Sequence, residues 1–365
     1  MSETNLFSPG KIGAIPVANR VVMAPLTRAR ADMEGVASPF APEYYSQRAT
    51  AGLIISEATT ISRQGRGYAY TPGIYTDAHV SAWRPVTDAV HGAGGRMVLQ
   101  LWHVGRMSHV SLQENGQSPV APSAIQAGDA VFTLEGMLRP SMPRALRTDE
   151  IPGLIEDYRN AARKAKEAGF DGVEIHMANG YLLDQWIRDS TNKRDDQHGG
   201  STENRLRLPL EITQVVQEIW GADRVGVRLS PATTFTGDIP LDSDPMDTFG
   251  RLIERFDALG LAYIHAVEGQ TMTVNGKAKL DFHALRRSFR GSYIANNGYG
   301  RDLANETIAA GEADMIAFGR HFIGNPDLVE RLRRNAPLFD APQEAYYGGG
   351  AQGYTDFPTL EASAA

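Results

Sequence analysis

Eight short apolar runs recur along the chain, and between several of them the apolar spacing changes from strand-like to the three-and-four spacing of a helix. The runs cover residues 21–26, 53–57, 97–101, 173–176, 225–229, 263–267, 293–296 and 315–318. Strands separated by helices need crossover connections, so the sheet they form is parallel. Eight such units in one chain predict an α/β fold, a (β/α)8 TIM barrel. An open doubly wound sheet with a second domain is the other architecture this alternation permits. A barrel takes about 250 residues and leaves roughly a hundred of this chain for insertions. Residues 11–19 read as a hairpin capping the barrel bottom. Residues 103–148 read as a Pro/Ser/Gly-rich lid after the third strand, and 336–365 as a Gly-, Tyr- and Pro-rich tail. No composition break divides the 365 residues, so a single domain, 1–365, is expected.

The clearest helix covers 149–168, where Ile151, Leu154, Ile155, Tyr158, Ala161, Ala162 and Ala165 fall on one face. Asp149 reads as its N-cap, Pro152 suits its first turn, and Gly169 is its stop. Similar helices are expected over 204–220, 247–259, 303–310 and 325–334.

The net charge of −7 and pI near 5.8 argue against a nucleic-acid or anionic-membrane surface. The chain has no cysteine, which excludes disulfides, thiolate metal sites and cysteine nucleophiles. Residues 1–10 lack the basic and apolar regions of a secretory signal, and no run approaches the length of a membrane helix. A cytoplasmic enzyme or binding protein acting on small molecules is the expectation.

Barrel function lies at the C-terminal ends of the strands. The fourth run ends in His176, Asn179 and Tyr181, with Gly180 punctuating the exit. Two N–H donors near a phenol that keeps its proton would polarise a carbonyl or nitro oxygen and protonate what forms. The plain alternative is a satisfied structural histidine. At the last two strands, Gly298 and Gly319 permit close backbone approach and Arg320 offers a bidentate cation, as a phosphate would need. Turn glycines and a surface arginine are the alternative. The G-x-G-x-x-G match at 348–353 follows no strand and opens no helix, so it reads as a flexible turn presenting Tyr347 and Tyr354. A metal-dependent hydrolase on the same barrel stays open, although the nine histidines form no zinc motif.

Several segments together resemble the Old Yellow Enzyme family of FMN-dependent ene-reductases, notably its bacterial branch of N-ethylmaleimide and nitrate-ester reductases. They are 19–28 (NRVVMAPLTR), 100–103 (QLWH), 169–176 (GFDGVEIH), 199–205 (GGSTENR), 318–322 (FGRHF) and 353–356 (GYTD). The resemblance covers nearly the whole chain. It implies that Pro25, Leu26, Thr27, Ala58, Gln100, His176 and Arg228 line the isoalloxazine. Thr27 would face the flavin carbonyl near N5, Gln100 the pyrimidine edge, and Arg228 the N1 region as a fixed positive charge. Asn297, Gly298, Gly319 and Arg320 would hold the phosphate. His176 and Asn179 would bind the substrate oxygen, Tyr181 would deliver the proton, and Tyr68, Trp102 and Tyr347 would wall the pocket beside Thr27.

The activity so implied is reduction of activated alkenes by NADPH, with NADH the less expected reductant. Reductive denitration or nitroarene reduction at the same site is the alternative, and a flavin-binding protein without turnover is a third. Either a monomer or a homodimer is compatible. Three departures from the family pattern stand out. Asn179 takes the place of a second histidine found in some relatives, so pH dependence of binding would rest on His176. Met177 replaces the commoner small residue and would narrow the surroundings of the site. The absence of cysteine excludes the branch with a flavin-tuning thiol, and Thr27 fits the other branch. Residues 237–273 match least and carry no assigned role.

Overall fold

The computed structural model describes residues 4–234, 236–268 and 280–363, so parts of the stretches 1–10, 237–273 and 336–365 lie outside it. The eight expected runs become eight parallel strands: Val21–Met23, Leu53–Ile55, Met97–Trp102, Gly172–Met177, Val225–Leu229, Tyr263–Val267, Ser292–Asn296 and Met315–Phe318. They are called strands one to eight below. Each pairs with the next, and strand eight pairs with strand one through Phe318 and Met23. The sheet is therefore closed, and the open-sheet alternative falls. Strand two is interrupted after Ile55 and resumes at Thr59–Thr60 against Leu101 and Trp102.

Helices lie outside the barrel because their apolar stripes need a strand face to cover. In Ile151–Glu167 the residues Ile151, Leu154, Tyr158, Ala161, Ala162 and Ala165 are buried as expected, and Gly169 ends the helix with φ +89°. Asp149 is not its cap. It lies in a 3-10 turn, Thr148–Glu150, where the Glu150 carboxylate accepts the Arg147 N–H at 2.8 Å. Thr202–Trp220, Pro245–Leu259 and Arg301–Ala309 match expectation within two residues. The helix expected over 325–334 starts only at Leu328, as Leu328–Arg334, and a separate short helix, His321–Gly324, precedes it. Asn325 separates them, its amide donating to His321 O and Phe339 O. A polar side chain that serves backbone groups on both sides competes with helix continuation.

The hairpin Gly10–Ile12/Ile15–Val17 plugs the barrel bottom. Ile12, Ile15 and Val17 pack with Val22, Leu53, Ile55, Val98, Ile294 and Met315 in one buried cluster. Its tip is held by Ala14 N–H donating to Asp223 O at 2.9 Å. Gly13, with φ +54°, is required there, because a Cβ would stand 2.1 Å from that oxygen.

At the other end, the lid segment carries a hairpin, Val131–Thr133/Gly136–Leu138. Its inner side supplies Val104, Met107, Ala127 and Val131 to a buried cluster with Ala58 and Trp102, against which Tyr68 and Tyr181 pack. Residues after strand five meet the lid: Gly237 N–H donates to Asp129 at 2.7 Å and Arg106 to Gly237 O at 2.9 Å. The least assigned stretch thus holds the lid, while 269–273 of it lie outside the described residues.

The tail is clamped rather than flexible. Arg28 donates to Ala345 O, Tyr346 O and Gly353 O. Arg30 adds bonds to Gly350 O and Gln352 O. Tyr354 is not presented to solvent. It is fully buried and stacks on Tyr44 at 4.0 Å between centroids, with the Arg28 and Arg30 guanidinium groups over its ring. Buried carbonyls in a Gly-rich turn need donors, and two arginines supply them.

Candidate active site

Strand four alternates faces, so Glu174 and His176 point into the barrel while Met177 packs outward among the helices. The expected narrowing of the site by Met177 therefore has no basis. His176 Nδ1 accepts the Ala178 N–H at 3.2 Å, which leaves the ring proton on Nε2 as a donor. Burial, and then the charge of Arg228, hold its pKa well below the usual histidine value, so the ring is neutral.

The chain then turns sharply. Asn179 and Gly180 have φ +55° and +74°, and a Cβ on Gly180 would lie 2.4 Å from Thr236 O. Asn179 N–H donates to Ser230 Oγ at 2.6 Å and Gly180 N–H to Asp184 at 2.8 Å. Asp184 is fully buried and paired with Arg188, which also donates to Ser230 O and Thr233 O. This anchoring set explains why a loop residue can be held accurately. The Asn179 Oδ1 is buried without a partner among the described residues.

Tyr181 completes an aromatic corner. Its ring meets Trp102 at 5.0 Å, His176 at 5.1 Å and Tyr68 at 6.4 Å, each edge-on, while Tyr68 and Trp102 stack at 5.8 Å. Its hydroxyl lies 3.3 Å from that of Tyr68. Burial pushes the Tyr181 phenol up to about 12, so it keeps its proton in neutral solution. Tyr347, also expected in the wall, is exposed and stands edge-on to Tyr346.

On the other side of His176 lie Gln100, Arg228 and two residues that the sequence reading passed over, Glu174 and His265. Gln100 donates to Glu174 at 2.7 Å, and His265 Nδ1 lies 2.9 Å from the same carboxylate. Arg228 donates one Nη2 bond to Asn296 at 3.0 Å, while its Nε and Nη1 are buried without partners among the described residues. Glu174 had a local signal, since it shares a strand face with His176 two residues on, whereas His265 stands opposite Arg228 in a register that only the fold shows.

Pro25, Leu26 and Thr27 are half-buried at the end of strand one, and Ala58 is buried at the interruption of strand two. Leu26 reaches the last loop, 3.6 Å from where a Gly319 Cβ would stand. Asn297 and Gly298 both take left-handed backbone, φ +98° and +80°, and a Cβ on Gly298 would face open space. Asn297 Nδ2 donates to Glu268 O at 2.8 Å. Arg320 is exposed beside them and precedes a helix of four residues. That helix is shorter than an anion-binding terminus expects, so a phosphate here would rely on backbone approach and on Arg320.

These residues suit FMN. A buried guanidinium with two unspent donors is costly alone, and a flavin pyrimidine edge would accept from it. The open ground at Gly298 beside Arg320 suits the phosphate. A separate cleft of about 500 Å3, lined by Arg30, Asp32, Val36, Pro42 and Pro85, includes none of these groups.

The chain is similar to known proteins over nearly its whole length. Residues 5–338 match the model of the NADH:flavin oxidoreductase / NADH oxidase family. The chain is 46% identical over 363 residues to 12-oxophytodienoate reductase 1 of Oryza sativa subsp. japonica, covering 98% of this chain and 93% of that protein. Among solved structures, morphinone reductase superposes with a TM-score of 0.95 at 46% identity, covering 99% of this chain and 98% of that one. An Old Yellow Enzyme homologue from Zymomonas mobilis gives 0.93 at 46% identity, covering 98% and 100%. The chain belongs to the FMN-dependent NADH:flavin oxidoreductases of the Old Yellow Enzyme family.

Proposed function

We propose that the protein reduces the C=C bond of activated alkenes, such as α,β-unsaturated carbonyls, maleimides and nitroalkenes, with a reduced nicotinamide as the source of electrons. The whole chain would act as one FMN-binding unit in the cytoplasm. The observation that carries the reading is the corner of His176, Tyr181, Tyr68 and Trp102, with Asn179 in the adjoining turn and Gln100 and Arg228 on the strands either side. When bound, FMN supplies the chemistry of taking a hydride from the nicotinamide and returning it to the alkene β-carbon.

The side chains supply the rest. Pro25, Leu26, Thr27, Ala58, Gln100 and Arg228 would hold the ring system, and Asn297, Gly298, Gly319 and Arg320 its phosphate. His176 donates through Nε2–H, and the Asn179 amide offers a second donor, to the oxygen that activates the alkene. Charge grows on that oxygen during reduction, so donors fixed in advance favour the reduced arrangement. Tyr181 holds a proton close to both and delivers it to the α-carbon. Tyr68 shares the Tyr181 hydroxyl and replenishes its hydrogen bond. Tyr68, Trp102 and Tyr347 present flat apolar surface suited to an enone or a nicotinamide.

The reductant expected from the sequence is NADPH. The family description names NADH, and a solved morphinone reductase complex contains tetrahydroNAD, which favours NADH instead. An N-ethylmaleimide reductase type and nitro or nitrate-ester reduction use the same oxygen site. The test is the visible spectrum of the purified protein under anaerobic addition of each nicotinamide. Bleaching of a yellow protein followed by recovery with cyclohexenone supports the proposal. Nitrite release without cyclohexenone reduction favours denitration. A protein that takes up no FMN sinks the reading.

A further inference from the structure

Beneath His176 the barrel interior holds groups that the hydride and proton steps leave unused. Strand register puts Glu174 opposite Gln100 on strand three and Gly226 on strand five, and His265 opposite Arg228. Gly226 has no Cβ for a reason: one would lie 2.1 Å from the Tyr263 ring, which crosses strand five at this level. The Glu174 carboxylate is fully buried and accepts from Gln100 and His265. Burial pushes its pKa up, but His265, Arg228 and Gln100 together outweigh this and leave it below the usual carboxylate range. It is an anion. Burial keeps His265 and His176 neutral and the Tyr263 phenol protonated. The charge of this layer is therefore one carboxylate against the Arg228 guanidinium, which touches Asn296 rather than Glu174.

We propose that Glu174 is a positioning residue of the flavin site, aiming Gln100 at the flavin and offsetting Arg228, and that it thereby lowers the reduction potential of bound FMN. The proposal rests on the reading that the pyrimidine edge of FMN lies over Gln100 and Arg228. Reduction brings negative charge to that edge. A buried carboxylate nearby opposes it, and burial makes the effect larger than at a surface. Removing the carboxylate charge leaves the cation uncompensated, so reduced FMN gains more than oxidised FMN.

The experiment is the midpoint potential of the FMN-loaded protein and of its variants, by anaerobic titration against a reference dye. The pH at which the reduced flavin takes up its N1 proton is followed by absorbance. Glu174→Gln keeps size and loses charge; its amide oxygen accepts from one of the two donors, and its NH2 needs the His265 ring to take the other tautomer. The variant is expected to favour reduced over oxidised FMN at least tenfold, about 30 mV positive for a two-electron couple. The N1 protonation then moves to lower pH. Glu174→Asp keeps the charge and stays within about twofold of the unaltered protein.

An unchanged potential in E174Q overturns the proposal, as does E174D shifting as far as E174Q. Should E174Q not fold, E174D decides: a tenfold shift overturns and an unchanged potential supports. Arg228→Gln separates the two readings. It lowers the potential if the cation faces the flavin. No shift in R228Q overturns the placement of FMN and the proposal with it, whereas a shift in R228Q with none in E174Q overturns the proposal alone.

Discussion

The two ends of the barrel are built on opposite rules. At the bottom, Ile12, Ile15 and Val17 meet an apolar interior, and the backbone groups of the hairpin are used within it or on Asp223. At the top, the same eight strands end in polar side chains. Several polar atoms there are buried without a partner among the described residues: two donors of Arg228, the Asn179 oxygen, and the ring nitrogens Trp102 Nε1, His103 Nε2 and His265 Nε2. A folded protein pairs nearly all such atoms. Where they gather, the partner is something other than the chain. The hairpin closes one end with the chain itself, and the other keeps donors that a ligand would complete.

The sharpest way to break the contrast is at the top. Tyr181→Phe should slow alkene reduction about 10²- to 10⁴-fold, the ordinary worth of a general acid. Reduction by nicotinamide and thermal stability should change little. Stopped-flow traces of the two half-reactions check this, and equal slowing of both would make Tyr181 a packing residue.

At the bottom the expected effect falls on stability alone. Ile15 is almost fully buried, and Ile15→Ala should cost about 2–5 kcal/mol in denaturant unfolding. The flavin spectrum and turnover of the folded fraction should be retained. Lost FMN affinity in the folded variant would show that the plug also shapes the site.

Glu57, at the interruption of strand two, sharpens the comparison through pH. Its carboxylate accepts from Arg28 N–H at 3.2 Å and Tyr45 OH at 3.3 Å, and burial raises its pKa to about 7. A raised pKa means the folded state holds the proton more tightly. Stability is then full below the unfolded value near 4.5 and declines as pH rises to about 7, by on the order of 3 kcal/mol. Glu57→Gln should flatten that decline. Unfolding curves of both proteins between pH 5 and 8 measure it.

The smallest expected changes concern substrate-site binding. Replacing both His176 and Asn179 by Ala should weaken phenol and enone binding by about 1–3 kcal/mol, roughly ten- to a hundredfold, with FMN retained. In the unaltered protein the same affinity should stay flat from pH 6.5 to 9. His176 is already neutral there and Tyr181 is still protonated. Titrations followed by the flavin absorbance test both.

Much of this was legible in sequence. The strand runs survive as strands because β-rich apolar segments buried on both faces carry a strong local signal. The two neighbouring donors and the phenol were legible because they are close in sequence. What escaped was set by tertiary contact. Nothing local says that Glu174 and Gln100, far apart in the chain, will stand side by side. Nor does it say that Tyr354 in a glycine-rich turn will be drawn under two arginines. Asn325 was read as helical because its competing bonds to Phe339 lie outside any local window.

The clamp on the tail has a consequence for how the chain reaches its fold. The bond from Arg28 to Gly353 O spans 325 residues, and strand one gains its partner in strand eight only near the end of the chain. During synthesis the first strand and the loop holding Pro25 and Thr27 must wait for nearly everything else to emerge. Contacts between such distant parts of a chain form late and slow the search. The segment expected to cradle FMN is thus among the first made and the last secured, and a chain cut short before the tail would leave Arg28 and Arg30 without the tail carbonyls they hold.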